Sequence, residues 1–178
     1  DRYSKHCYTS GIVLNNNGVR FLDEGADFFN MTYAKYGRVI LQQPGQSAWQ
    51  IFDSKVLRLL DPRYRTRQVT KVTANTLEEL VKKLDGVDAD ACLREILAFN
   101  KAVRTDVPFN PAILDGRSAP GLRVPRNNWA NAIDTPPFEA YAVTCGITFT
   151  FGGLKITTKA QVVDTEEKPI PGLYAAGE

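Results

Sequence analysis

The 178-residue chain carries 22 Lys and Arg against 20 Asp and Glu, a net charge of +2, and is 43% hydrophobic and 24% charged. That balance is ordinary for a globular fold, lacks the basic excess that nucleic-acid binding calls for, and sits on a length that predicts one domain, or one domain plus a fragment. No run of about 18 apolar residues is present, so no membrane span is expected.

The N-terminal stretch Asp1–His6 is polar and has no apolar signal core. Cys7, Cys92 and Cys145 are widely spaced, odd in number and in no zinc-binding spacing. They are expected to be free, partly buried thiols in a reducing, cytoplasmic setting, with no metal. His6, the one histidine, has no assignable Ser or Cys partner and is expected to form part of a wall. Gly11–Asn15 and Val19–Leu22 flank Asn15-Asn16-Asn17-Gly18, a strong hairpin signal. Asn30 is placed to cap a helix over Met31–Gln42, which Pro44-Gly45 ends. Ala48–Asp53 reads as a buried strand, Ser54–Leu60 as a short helix and Val69–Val72 as a further strand.

Thr76-Leu77-Glu78-Glu79 has the capping-box spacing, and Leu77, Leu80, Val81 and Leu84 follow at helical period. Asp88 opens another helix, with Cys92, Leu93, Ile96 and Phe99 on one stripe. Asp106–Asn131 is long, irregular and rich in Pro, Gly, Arg and Asn, and a loop of that length usually has work to do. It carries Arg117, Arg123 and Arg126. A guanidinium fork suits a carboxylated substrate, so Arg123 and Arg126 are the expected substrate ligands. From Pro136 to Glu178, short apolar runs alternate with turn residues, which predicts a β-meander around Gly152-Gly153 with a buried last strand.

The wording of that final stretch resembles the flavoproteins that include fumarate reductase, succinate dehydrogenase and 3-ketosteroid dehydrogenase. The resemblance rests on Pro136-Pro137-Phe138, Thr150-Phe151-Gly152-Gly153 and Ile170-Pro171-Gly172-Leu173-Tyr174-Ala175-Ala176-Gly177-Glu178. Within the family, Arg20–Asp27, Tyr33–Gly37 and Gly146–Gly153 are most similar to tricarballylate dehydrogenases. The resemblance implies an α+β fold: an entry hairpin over residues 1–22, a substrate-capping domain over 23–135 and a β-rich return segment over 136–178. It implies FAD as cofactor, with Gly152, Gly153 and Glu178 toward it and Phe149 and Thr150 lining the substrate pocket. The implied reaction is dehydrogenation of a tricarballylate-like carboxylate by hydride transfer to flavin.

Two positions depart from the fumarate reductases. Phe149 stands where they place a substrate histidine, and their arginine proton donor falls near Phe28. Both changes count against fumarate reduction. Glu139 stands where ketosteroid dehydrogenases have an aromatic residue. A steroid-type or fumarate-type flavoenzyme is the alternative, and a non-catalytic binding or assembly module is a third reading. No Gly-x-Gly-x-x-Gly follows a strand. The chain is therefore expected to be a piece of a longer enzyme, inactive and weak in FAD binding by itself.

Overall fold

A computed structural model of the chain describes residues 4–147, 150 and 152–177. It forms two compact units, Asp1–Cys145 and Gly146–Glu178.

The first unit is built on one antiparallel sheet of β1 (Ile12–Asn15), β2 (Ser47–Phe52), β3 (Lys71–Ala74) and β4 (Phe138–Thr144), in the order β1-β2-β4-β3. Both faces of the sheet are covered. Ile12, Leu14, Trp49, Ile51 and Ala140 point to one face, where α2 (Leu77–Lys82) and α3 (Ala89–Ala102) bring Leu80, Val81, Cys92, Ile96 and Phe99. The alternate residues Val13 and Ala48 point to the other face, where α1 (Phe29–Leu41) brings Tyr36 and Ile40. A sheet buried on both sides needs apolar residues at successive positions, which is why Ile12-Val13-Leu14 shows no polar alternation.

Local chemistry sets the helix ends. Thr76 Oγ1 accepts from Glu79 N at 3.1 Å and Asp88 Oδ1 accepts from Ala91 N at 2.9 Å, as the two cap signals predict. The α1 prediction is shifted: the helix starts at Phe29, and its N-cap is Phe28 with no side-chain cap, so Asn30 does not cap it. The Asn15–Gly18 turn closes with Gly18 N donating to Asn15 O at 2.9 Å. Beyond it only Arg20 bridges back to Leu14, so the second hairpin arm is a single bridge, not a strand. β1 finds its partner in β2 instead. Gly18 has φ +71°, and a Cβ there would lie 2.4 Å from Cys92 N, so the turn is seated directly on the start of α3.

β4 is an inner strand of the first sheet, so residues 136–145 pack with the first unit. Ser54–Leu60 yields only a single 3-10 turn at Leu57–Leu59. The expected strand at Val69–Val72 forms two residues later, as Lys71–Ala74.

In the second unit, β5 (Gln161–Val163) pairs antiparallel with β6 (Pro169–Tyr174) across a turn held by Asp164, whose Oδ1 accepts from Glu166 N and Lys168 N. The meander is thus partial: among the described residues near Gly152-Gly153 only the Ile156–Val162 bridge is ladder-like. The last strand is not buried, with Tyr174 62% exposed, because a two-stranded ribbon has no second layer of its own to pack on.

Candidate functional site

Three segments of the first unit meet around a cleft of about 190 Å³ lined by Thr9, Ser10, Phe28, Phe29, Phe109, Pro111 and Trp129. Thr9 and Ser10 end the 3-10 turn Cys7–Ser10 that precedes β1. Phe28 and Phe29 are the entry to α1. Phe109, Pro111 and Trp129 come from the long irregular segment. The Phe28 and Trp129 rings are tilted at 5.3 Å, and on the outer side His6 stacks on Phe29 at 5.4 Å and lies 5.1 Å from Tyr33. Burial, and then the nearby Arg63, lower the His6 pKa, so the imidazole beside this wall is neutral at pH 7.

The long segment is not a loose lid. Asp115 Oδ1 accepts from Arg117 N and Trp129 N, each at 2.9 Å, and Asp115 Oδ2 accepts from Asn110 N at 3.0 Å. Trp129 Nε1 donates to Asn110 O at 3.0 Å and to Ile113 O at 2.8 Å. Trp129 itself has φ +54°, a conformation that costs a non-glycine residue about 1–3 kcal/mol and that recurs at ligand-binding walls. Its four hydrogen-bonded neighbours, Asn110, Ile113, Asp115 and Arg126, hold it there.

The arginines of this segment correct an expectation. Arg126 is buried, and all five of its N–H donors are used inside the fold. Nε donates to Asn128 O (2.6 Å), Nη1 to Gly11 O (2.7 Å) and Glu24 Oε2 (3.3 Å), and Nη2 to Thr9 O and Trp129 O. No donor remains for a substrate carboxylate. Arg126 shares Glu24 with Arg20, whose Nε and Nη2 reach Glu24 at 3.1 and 2.5 Å, and all three side chains are buried. Arg117 uses two of its donors inside the fold, Nε on Ala130 O and Nη1 on Val107 O. Arg123 is exposed and donates from Nη2 to Arg20 O, so only its remaining donors face outward.

Glu139 is also reassigned. It accepts from Tyr141 OH, Arg65 Nη1 and Lys71 Nζ on the sheet, and it is absent from the cleft lining. Among the described residues no three His, Cys, Asp or Glu side chains cluster as metal ligands, and no helix is long and apolar enough to cross a membrane. Cys7 and Cys92 are in no disulfide.

In the second unit Thr150, Gly152 and Gly153 are exposed. Gly152 has φ +99°, and a Cβ built on either glycine meets nothing within 4 Å. Both glycines therefore present bare backbone to open space. Phe149 and Glu178 lie outside the described residues.

The cleft was only partly legible beforehand. Phe28 was singled out by its position after Arg20-Phe21-Leu22-Asp23-Glu24. Thr9, Ser10, Phe109 and Trp129 carry no local signal, because what joins them is tertiary.

Residues 5–178 match the model of the FAD binding domain family, and the chain belongs to that family. It is 32% identical over 171 residues to the fumarate reductase (cytochrome) of Shewanella frigidimarina, covering 94% of this chain and 26% of that protein. Among solved structures it is similar to the open conformation of a flavocytochrome c3 fumarate reductase, with TM-score 0.71 and 27% identity over 99% of this chain and 28% of the other. It is also similar to 3-ketosteroid delta1-dehydrogenase of Sterolibacterium denitrificans, solved with 1,4-androstadiene-3,17-dione. The TM-score there is 0.60, with 25% identity over 96% of this chain and 34% of the other. The chain thus spans between a quarter and about a third of the length of these relatives. FAD is the cofactor of the family, as the glycine-rich wording of the C-terminal stretch implied.

Proposed function

We propose that this chain is the substrate-side part of an FAD-dependent oxidoreductase that acts on a predominantly apolar, ring-containing compound with a carbonyl group. The observation that supports this reading is the composition of the cleft: four aromatic rings and a proline, with no charged side chain among its lining residues. Phe28, near the position where the fumarate reductases carry an arginine donor, is one of those rings. A dianion entering this cleft would lose hydration without an opposing charge, which is strongly unfavourable. The solved relative with a bound steroid dione shows that a related protein takes an apolar ketone.

In this reading the substrate loses a hydride from one carbon and a proton from its neighbour, a C=C bond forms beside the carbonyl, and a protein base takes the proton. FAD, when bound, supplies the two-electron acceptor. The cleft residues orient the ring and exclude water. The tricarballylate-like substrate suggested by the resemblance has lost Arg126 and retains only the outward donors of Arg123.

The test is anaerobic stopped-flow spectroscopy of the full-length flavoprotein. Cyclic ketones such as a cyclohexanone derivative are expected to reduce the bound flavin, and tricarballylate and succinate are not. Rapid reduction by tricarballylate, with none by any cyclic ketone, would overturn the proposal and return Arg123 to the centre of the site.

A further inference from the structure

We infer that the Thr9 and Ser10 hydroxyls form a polar ledge that takes the carbonyl oxygen of a single-ring carbonyl compound, and that Arg126 holds this ledge in place. This deepens the aromatic-cleft reading above and rests on it.

The ledge follows by elimination within the cleft. Phe28, Phe29, Phe109 and Pro111 offer no side-chain hydrogen bond. Trp129 has one side-chain donor, and that N–H is already shared between Asn110 O and Ile113 O. Thr9 and Ser10 are what remains, and among the described residues neither hydroxyl has a hydrogen-bond partner. Two hydroxyls of the cleft lining with no partner inside the fold select a ligand that brings an acceptor. A ligand of the same shape without one leaves them unpaired, which is the stronger half of such discrimination.

The backbone beneath the ledge is fixed on both sides. Arg126 Nη2 takes Thr9 O, and Arg126 Nη1 takes Gly11 O at 2.7 Å, so one guanidinium straddles Ser10. Gly11 N donates to Tyr8 O at 3.1 Å. A Cβ on Gly11 would lie 2.3 Å from Ile51 O and 2.6 Å from the Phe52 ring, so this backbone is pressed against β2 with no room to shift. The arginine expected to bind substrate is therefore a positioning residue that acts through the backbone of Thr9 and Gly11.

Size narrows the ligand further. The cleft holds about 190 Å³, and an apolar cavity of roughly 150 Å³ accepts benzene. One substituted six-membered ring fills this cleft, and a four-ring steroid extends well beyond it.

The experiment is calorimetric titration of the full-length flavoprotein with two probes of equal ring size, cyclohex-2-enone and cyclohexene, in wild type, Thr9→Val, Ser10→Ala and the double variant. Wild type is expected to favour the enone. Each single variant is expected to weaken enone binding about threefold to tenfold, the span of one neutral hydrogen bond, and to leave cyclohexene affinity within about twofold. The unchanged cyclohexene affinity also shows that the cleft is still folded. Equal weakening of both probes would make the hydroxyls structural and overturn the ledge. Unchanged enone affinity in the double variant would overturn the ledge and leave the aromatic cleft standing. If wild type binds neither probe, the cleft reading itself fails and the ledge goes with it.

Discussion

Arg126 and Arg20 bring two guanidinium groups to a single carboxylate, Glu24, in a place closed to solvent. The excess positive charge is met by backbone carbonyls: Gly11, Thr9, Asn128 and Trp129 for Arg126, and Leu22 and Val124 for Arg20. The Arg20 guanidinium also lies 5.0 Å over the Phe99 ring. Burial, opposed by Glu24, lowers the Arg126 pKa, whereas Glu24 outweighs burial at Arg20 and raises it. Removing one partner of such a group strands buried charge and costs about 3–5 kcal/mol. Glu24→Gln keeps the shape and removes the charge. It is expected to lower the thermal midpoint by roughly 6–20 °C, at about 2–4 °C per kcal/mol for a unit of this size. A loss under 2 °C by calorimetry would show that the carbonyls alone sustain both cations. Cys92 gives a second residue-scale prediction. Burial pushes its thiol up to about 12 from an ordinary value near 9. The fold favours the neutral thiol, so this contribution is complete below pH 9 and is lost as pH rises toward 12. Cys92→Ala is expected to lose stability less steeply than wild type across pH 9–12, as measured by urea unfolding at each pH. Parallel curves would exclude the thiol.

At the scale of elements, the Asn15–Gly18 turn and the start of α3 form one joint. Asp88 N donates to Asn16 O at 2.9 Å, Asp88 caps α3, and Gly18 sits against Cys92 N and Asp88 O. Gly18→Ala meets both a left-handed φ and a backbone clash. It is expected to destabilise by more than the ~1 kcal/mol that Asp88→Ala costs through its cap. Chemical denaturation of the two variants checks the order, and the reverse order would mean the turn can lift off the helix. The caps of α2 and α3 and the apolar stripe Cys92–Ile96–Phe99 were readable because helix signals lie within a few residues of what they control. Arg126 was not. Its sequence neighbourhood looked like a solvated loop, and the carbonyls that consume it belong to Thr9 and Gly11, more than 100 positions away. The partners of Glu139 are hidden for the same reason, since Arg65 and Lys71 reach it only once β3 and β4 have paired. Thr9, Ser10 and Trp129 share a cleft through that same long-range docking, so no window of sequence shows them together.

For the molecule as a whole, what is missing from the sequence bears on what this chain does by itself. FAD carries a pyrophosphate that these proteins settle on a glycine-rich turn at a helix start, and no Gly-x-Gly-x-x-Gly follows a strand here. Gly152-Gly153 does not carry that pattern. The 178-residue chain mixed with FAD is expected to bind it no tighter than tens of micromolar, which flavin fluorescence titration measures. Stoichiometric sub-micromolar binding would place a complete nucleotide site within these residues.

The strand order β1-β2-β4-β3 has a consequence for how the protein comes off the ribosome. β3 pairs with nothing but β4, and β4 separates it from β2. The inner strand of the sheet is therefore the last to be synthesised, about 65 residues after the edge strand that depends on it. Until Thr144 has cleared the exit tunnel, Ile51 and Trp49 have no neighbour on one side and β3 has none at all. The nascent chain must carry this unpaired edge until β4 has emerged, and a chaperone that shields strand edges has its opportunity to act in that interval.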